Sequence, residues 1–89
     1  MPRVAFTASL ERHVACPAET VEGQSVRDVL DAYFARHPRV RGYVLDEQGA
    51  LRHHVVIFVS GTQVRDRARL QEAVRDGDEL WVMQALSGG

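Results

Sequence analysis

The residues with the clearest chemical potential close the sequence: Leu86-Ser87-Gly88-Gly89. Glycine carries no Cβ, so a Gly-Gly carboxylate can lie extended in a channel too narrow for other residues. A carboxylate is a poor electrophile until one of its oxygens becomes a leaving group. Such an end reads either as a chemical handle or as a frayed tail. Side chains elsewhere offer less. Cys16 is the sole cysteine, which excludes an internal disulfide framework and paired-cysteine metal sites. With no evident partner it is expected to be a small buried hydrophobe. His53 and His54 lack a second ligand at metal spacing and are expected on the surface. No metal-ligating set and no bound cofactor are expected.

An element must present that end. Asp76-Gly77 favours a tight turn, and Leu80-Trp81-Val82-Met83 after it has the aromatic and β-branched composition of a strand. Residues 1–84 are expected to form one domain, with 85–89 a flexible tail leaving the last strand. Upstream, Arg3 to Leu10 alternates with Val4, Phe6, Ala8 and Leu10 on one side, the period of a half-buried strand. His13 to Cys16 can return antiparallel, ending at Pro17, which has no N–H to give a ladder. Val21 to Gln24 turns the chain. Ser25 is a favoured helix N-cap with Asp28 three residues on. Val26, Val29, Leu30, Tyr33 and Phe34 follow as an amphipathic stripe. Pro38 disfavours helical backbone at His37, so this helix should stop there. Arg39 to Gly42 is expected to be irregular or a single turn. Tyr43-Val44-Leu45 and Leu51 to Val59 then read as a hairpin, ending at Ser60-Gly61. Thr62 to Arg75 is a polar, arginine-rich connection anchored by Val64, Leu70, Ala73 and Val74. Its charges read as a solvated face.

Eighty-nine residues make one domain, and 45% apolar with 26% charged residues is ordinary for a globular chain. The net charge of −1, with acids and arginines interspersed, gives no nucleic-acid footprint. All eleven basic residues apart from histidine are arginine. With no lysine, the protein offers no side-chain ammonium as an acylation target. The run Val55 to Val59 is too short to span a bilayer, and Met1-Pro2-Arg3 does not begin a signal peptide's apolar core. A cytosolic protein is expected, with no nucleic-acid or membrane partner.

Three stretches carry a resemblance over essentially the whole chain: Val55-Val56-Ile57-Phe58-Val59-Ser60-Gly61, Asp76-Gly77-Asp78-Glu79-Leu80, and Leu86-Ser87-Gly88-Gly89. Together they resemble the ubiquitin-like sulfur carriers of the MoaD and ThiS family. Leu45 to Arg52 resembles the longer, CysO-like members. The resemblance implies an α+β fold, the ubiquitin-like β-grasp, with a mixed sheet of four to five strands and one main helix on one face. It also implies a carrier rather than an enzyme. An adenylating enzyme similar to ubiquitin-activating enzymes would use ATP to adenylate Gly89, with Gly88 easing the threading of the tail. A sulfur donor would then give a thiocarboxylate. The acceptor would be an enzyme such as a molybdopterin synthase large subunit, a thiazole synthase or a cysteine synthase. Members often have Asn where Val56 and Ser60 stand, Pro where Gln84 stands, and a smaller residue than Trp81; these departures bear on the partner's identity. A protein modifier joined through Gly89 and a non-catalytic interaction module are the alternatives.

The same alternation suggests a docking surface. If Val55, Ile57, Val59, Leu80 and Val82 face the helix, then Val56, Phe58, Trp81 and Met83 face away from it. An apolar face beside the tail would suit a partner, with Leu86 and Ser87 extending the contact. The competing arrangement has Tyr43 and the hairpin folding over that face and burying it.

Overall fold

The computed structural model describes residues 1–84. Within them β1 (Arg3–Phe6), α1 (Ala8–Glu11), β2 (Glu19–Thr20), α2 (Val26–Arg36), α3 (Pro38–Val44), β3 (Val55–Val59), β4 (Thr62–Gln63) and β5 (Glu79–Gln84) follow in order. The strands form one mixed sheet in the order β2-β1-β5-β3-β4. The last strand among the described residues is thus the central one, parallel to β1 and antiparallel to β3.

α2 behaves as its sequence dictates. The Ser25 hydroxyl accepts the Asp28 N–H at 3.1 Å, satisfying one of the amides a helix start leaves unpaired. All five stripe residues are buried. They join Val4, Phe6, Val55, Ile57, Leu80 and Val82 in one core between helix and sheet. Cys16 is buried too, and its thiol is held above its usual range by burial, with Glu11 adding to the effect. Ser60 (φ 45°) and Gly61 (φ 90°) form a two-residue loop joining β3 to β4. Two successive positive φ angles match the twist of the flanking strands.

Several boundaries differ from the sequence pattern, each for a local reason. β1 stops at Phe6, where the Thr7 N–H donates to the Val82 carbonyl at 3.1 Å. One turn of helix then carries Leu10 into the core, a spacing that simple alternation also accommodates. The second strand is not His13 to Cys16 but Glu19–Thr20, beyond Pro17, where N–H groups for the ladder resume. Pro38 ends α2 yet occupies the first turn of α3, where a missing N–H costs nothing. α3 therefore takes up Tyr43 and Val44, and the expected hairpin shrinks to a single Leu45–Leu51 bridge. His53 and His54 sit in the turn before β3 rather than in the strand expected from Leu51 to Val59, and both are exposed.

Two predictions test this layout. Ser25→Ala should cost about 0.5–2 kcal/mol, read as a lowered denaturant midpoint; an unchanged midpoint would place the helix start elsewhere. Glu19 joins β2 to the end of α2 through His37 and Arg36. Its carboxyl is held below the usual range, first by the His37 hydrogen bond, with the Arg36 and His37 charges adding to it and burial opposing. A depressed native pKa gives stability that is full above the unfolded value, about 4.3, and fades as pH falls through the native value. The native protein should therefore lose more stability on acidification from about pH 7 to about pH 3 than Glu19→Gln does. Equal losses in denaturant titrations would rule the contact out as a contributor.

Candidate functional site: the outer face of the sheet

β5 has two unlike sides, and pairing with β3 fixes both. Ile57 pairs with Val82 and Val59 with Leu80, which places these side chains under α2. The intervening pairs are Val56 with Met83 and Phe58 with Trp81, which point the other way. The four residues predicted to share a face do share it. Trp81 is 36% exposed, and Val56, Phe58 and Met83 are half-buried. Opposite Trp81 on the other side, β1 contributes Ala5, whose small side chain is only 2% exposed.

A polar chain braces the exposed indole. The Trp81 Nε1–H donates to Glu79 Oε1 at 2.8 Å, and Arg3 Nη1 donates to Glu79 Oε2 at 2.6 Å. These bonds hold the Glu79 carboxyl below its usual range, the indole contact first and Arg3 second. Glu79 and Arg3 are register partners on this same face. Both are substantially exposed, so the pair contributes little to stability. It fixes the orientation of the ring. At the head of the strand the Asp78 carboxylate accepts the Arg75 N–H at 2.8 Å and the Ser60 hydroxyl at 2.8 Å. This anchors the β4–β5 connection to the β3–β4 loop, with Gly77 (φ 87°) making the turn between.

Tyr43 does not cover this face. Its ring lies against His13, with centroids 6.4 Å apart, while Leu45 and Leu51 belong to the core under α2. The apolar pairs remain open to contact. Leu86, Ser87, Gly88 and Gly89 lie outside the described residues, as does the expected tail of 85–89. Among the described residues no group of His, Cys, Asp and Glu is arranged to hold a metal, and no helix is long and apolar enough to cross a membrane. The Trp81–Glu79–Arg3 chain was missed in the sequence. Its only signal was that Glu79 and Trp81 stand two apart on a strand, since Arg3 is brought in by a partner seventy-six residues away.

Comparison with known proteins follows the same lines. Residues 10–89 match the model of the ThiS family. Small archaeal modifier protein 1 of Haloferax volcanii is 36% identical over 70 residues, covering 78% of this chain and 76% of that protein. Its crystal structure superposes with a TM-score of 0.77 at 28% identity, covering 99% of this chain and 98% of that one. A chain of the Amycolatopsis orientalis BexX/CysO complex superposes with a TM-score of 0.83 at 24% identity, with both chains fully covered. CysO of Mycobacterium tuberculosis gives 0.81 at 22% identity, covering 97% and 100%. The fold is the ubiquitin-like β-grasp, here with a five-stranded mixed sheet and three helices among the described residues.

The two sides of the sheet should respond differently to truncation. Ile57→Ala opens a hole in a fully buried site and should cost about 2–5 kcal/mol. Trp81→Ala should leave the denaturant midpoint much closer to that of the unaltered protein. If Trp81→Ala proved the more damaging of the two, the outer face would be core rather than surface.

Proposed function

The chain belongs to the ThiS family, and on that footing we propose that it is a sulfur carrier whose Gly89 carboxylate is converted to a thiocarboxylate. The observation that carries the reading is β5 itself. This strand holds the apolar pairs on its outer side and leads, five residues beyond Gln84 in sequence, to Gly89. Five residues reach at most about 18 Å, at about 3.3–3.6 Å each. That suffices for a partner to grip the sheet face and receive Gly89 in a recessed site.

The chemistry belongs to the partner. A Gly89 carboxylate oxygen attacks the α-phosphorus of ATP, an acyl–phosphate bond forms, and pyrophosphate leaves. The sulfur of a sulfide-level donor then adds to the acyl carbon and AMP departs with the bonding pair. The protein supplies a substrate and a handle. Val56, Phe58, Trp81 and Met83 are the handle, with Leu86 and Ser87 extending it. The acceptor is an enzyme of molybdopterin, thiazole or cysteine synthesis.

A second reading is favoured by the name of the 36% identical relative, a modifier protein. Here the activated Gly89 acyl group passes to an amine on another protein. Because the chain has no lysine, such conjugation could not build lysine-linked chains of this protein.

Incubation with the cognate adenylating enzyme, ATP and a sulfide donor should exchange one carboxylate oxygen for sulfur, seen by intact-mass spectrometry, and deletion of Gly89 should abolish the exchange. Adenylation without sulfur uptake, but with amine-linked adducts on other proteins, would favour the modifier. No adenylation of a chain ending at Gly89 would sink both. Trp81→Ala should weaken binding to the adenylating enzyme by about 2 kcal/mol or more; unchanged affinity would move the handle elsewhere.

A further inference from the structure

A second surface lies at the end of the domain where β5 finishes. Two observations place it there. α2 starts beside the segment that feeds β5, since the Val26 N–H donates to the Glu72 carbonyl and the Val74 N–H to the Gln24 carbonyl, both at 3.0 Å. Eleven residues of helix then advance about 16 Å, at about 1.5 Å each, so His37 lies toward the opposite end. The segment leading to His13 leaves the sheet at that same end, because Phe6 pairs with Val82 and Thr7 bonds to the Val82 carbonyl.

Between His13 and the α2–α3 junction runs a groove of about 700 Å3, lined by His13, Arg36, His37, Arg39, Val40 and Tyr43 among others. Its charge is one-sided. From Ala32 to Leu45 the chain has no acidic residue but holds Arg36, His37, Arg39 and Arg41, although the whole chain is net negative. Glu19 engages Arg36 at 3.0 Å and also His37. Among the described residues, Arg39 makes no ion pair. Tyr43, 40% exposed and one of the few exposed large hydrophobic side chains among the described residues, stands in the wall of the groove.

We propose that this groove is a docking site for an acidic stretch of a partner protein. Arginine and tyrosine are the residues that protein interfaces concentrate. An excess of one charge sign selects a complementary partner and speeds its approach. The groove is only partly enclosed, whereas sites for small molecules enclose most of the ligand. A folded partner approaching this end of the sheet would meet apolar pairs on the outer face and a basic wall on the helix side. The inference needs neither ATP nor sulfur, so it stands or falls apart from the chemistry of Gly89.

The test uses the full-length protein labelled with nitrogen-15 and a hexaglutamate peptide as probe. Titration at low salt should shift the amides of residues 13–15, 36–37 and 39–43, and the shifts should shrink as salt is raised. Arg39→Glu should weaken binding about fivefold or more, in line with an exposed ion pair lost and reversed. Tyr43→Ala should weaken it too. Arg75→Glu makes the same change in net charge beside the Asp76-Gly77 turn, near the start of β5, and should leave binding unaltered; Arg39, Tyr43 and Arg75 are all exposed, so the variants should fold. Absence of shifts would overturn the proposal, as would shifts spread over all the arginines or equal weakening by Arg75→Glu. Tighter binding of inorganic pyrophosphate or oligothymidylate to the same amides would also overturn it, in favour of a phosphate site.

Discussion

The parallel pairing of β1 with β5 is the constraint on which the rest of the molecule depends. Parallel neighbours cannot be joined by a tight turn, so the chain between them must cross over. Here that crossover includes α2, α3 and the β3–β4 hairpin, in seventy-two residues from Thr7 to Asp78. Leu80 and Val82 sit at the centre of the result, fully buried between β1, β3 and α2. Because β5 is central, its register fixes both faces of the sheet at once. A slip of one residue would turn Trp81 and Met83 inward and Leu80 and Val82 out.

Side-chain bonds to the backbone tie the irregular parts of the long crossover together. Arg27 donates to the carbonyls of Gly49, Ala68 and Arg69, and Arg67 to those of Arg52 and His53. Arg52 donates to the Gly42 carbonyl at 2.7 Å. Carboxylates do the converse: Asp66 accepts the N–H groups of Arg69 and Gln71, and Glu72 those of Arg65 and Asp66. Irregular backbone leaves its polar groups without helix or sheet partners, and these contacts satisfy a share of them. They also hold Leu70 fully buried at φ 58°, an unusual conformation for a branched side chain.

What the sequence made legible divides along these lines. α2 could be read because Ser25, Asp28 and a five-residue stripe agree with one another. The two faces of β3 and β5 could be read because strand alternation is strict, and it survives errors at strand ends. α3 could not, since Pro38 signals the end of one helix and the start of another equally well. The arginine-rich segment looked like a solvated face because a side chain bonded to distant carbonyls has no sequence period. Arg27 was placed correctly off the buried stripe of α2, yet its partners lie twenty-two to forty-two residues away.

The sheet's two borders have a consequence of their own. Each edge strand, β2 and β4, is only two residues long. A visiting segment would find almost no row of free N–H and C=O groups to extend, and edges of this kind guard against self-association into fibrils. Recognition by annealing another strand onto β2 or β4 is therefore disfavoured among the described residues. A partner that meets the described sheet reads its side chains, and a change of partner can evolve by altering a few surface residues while the backbone ladder stays as it is.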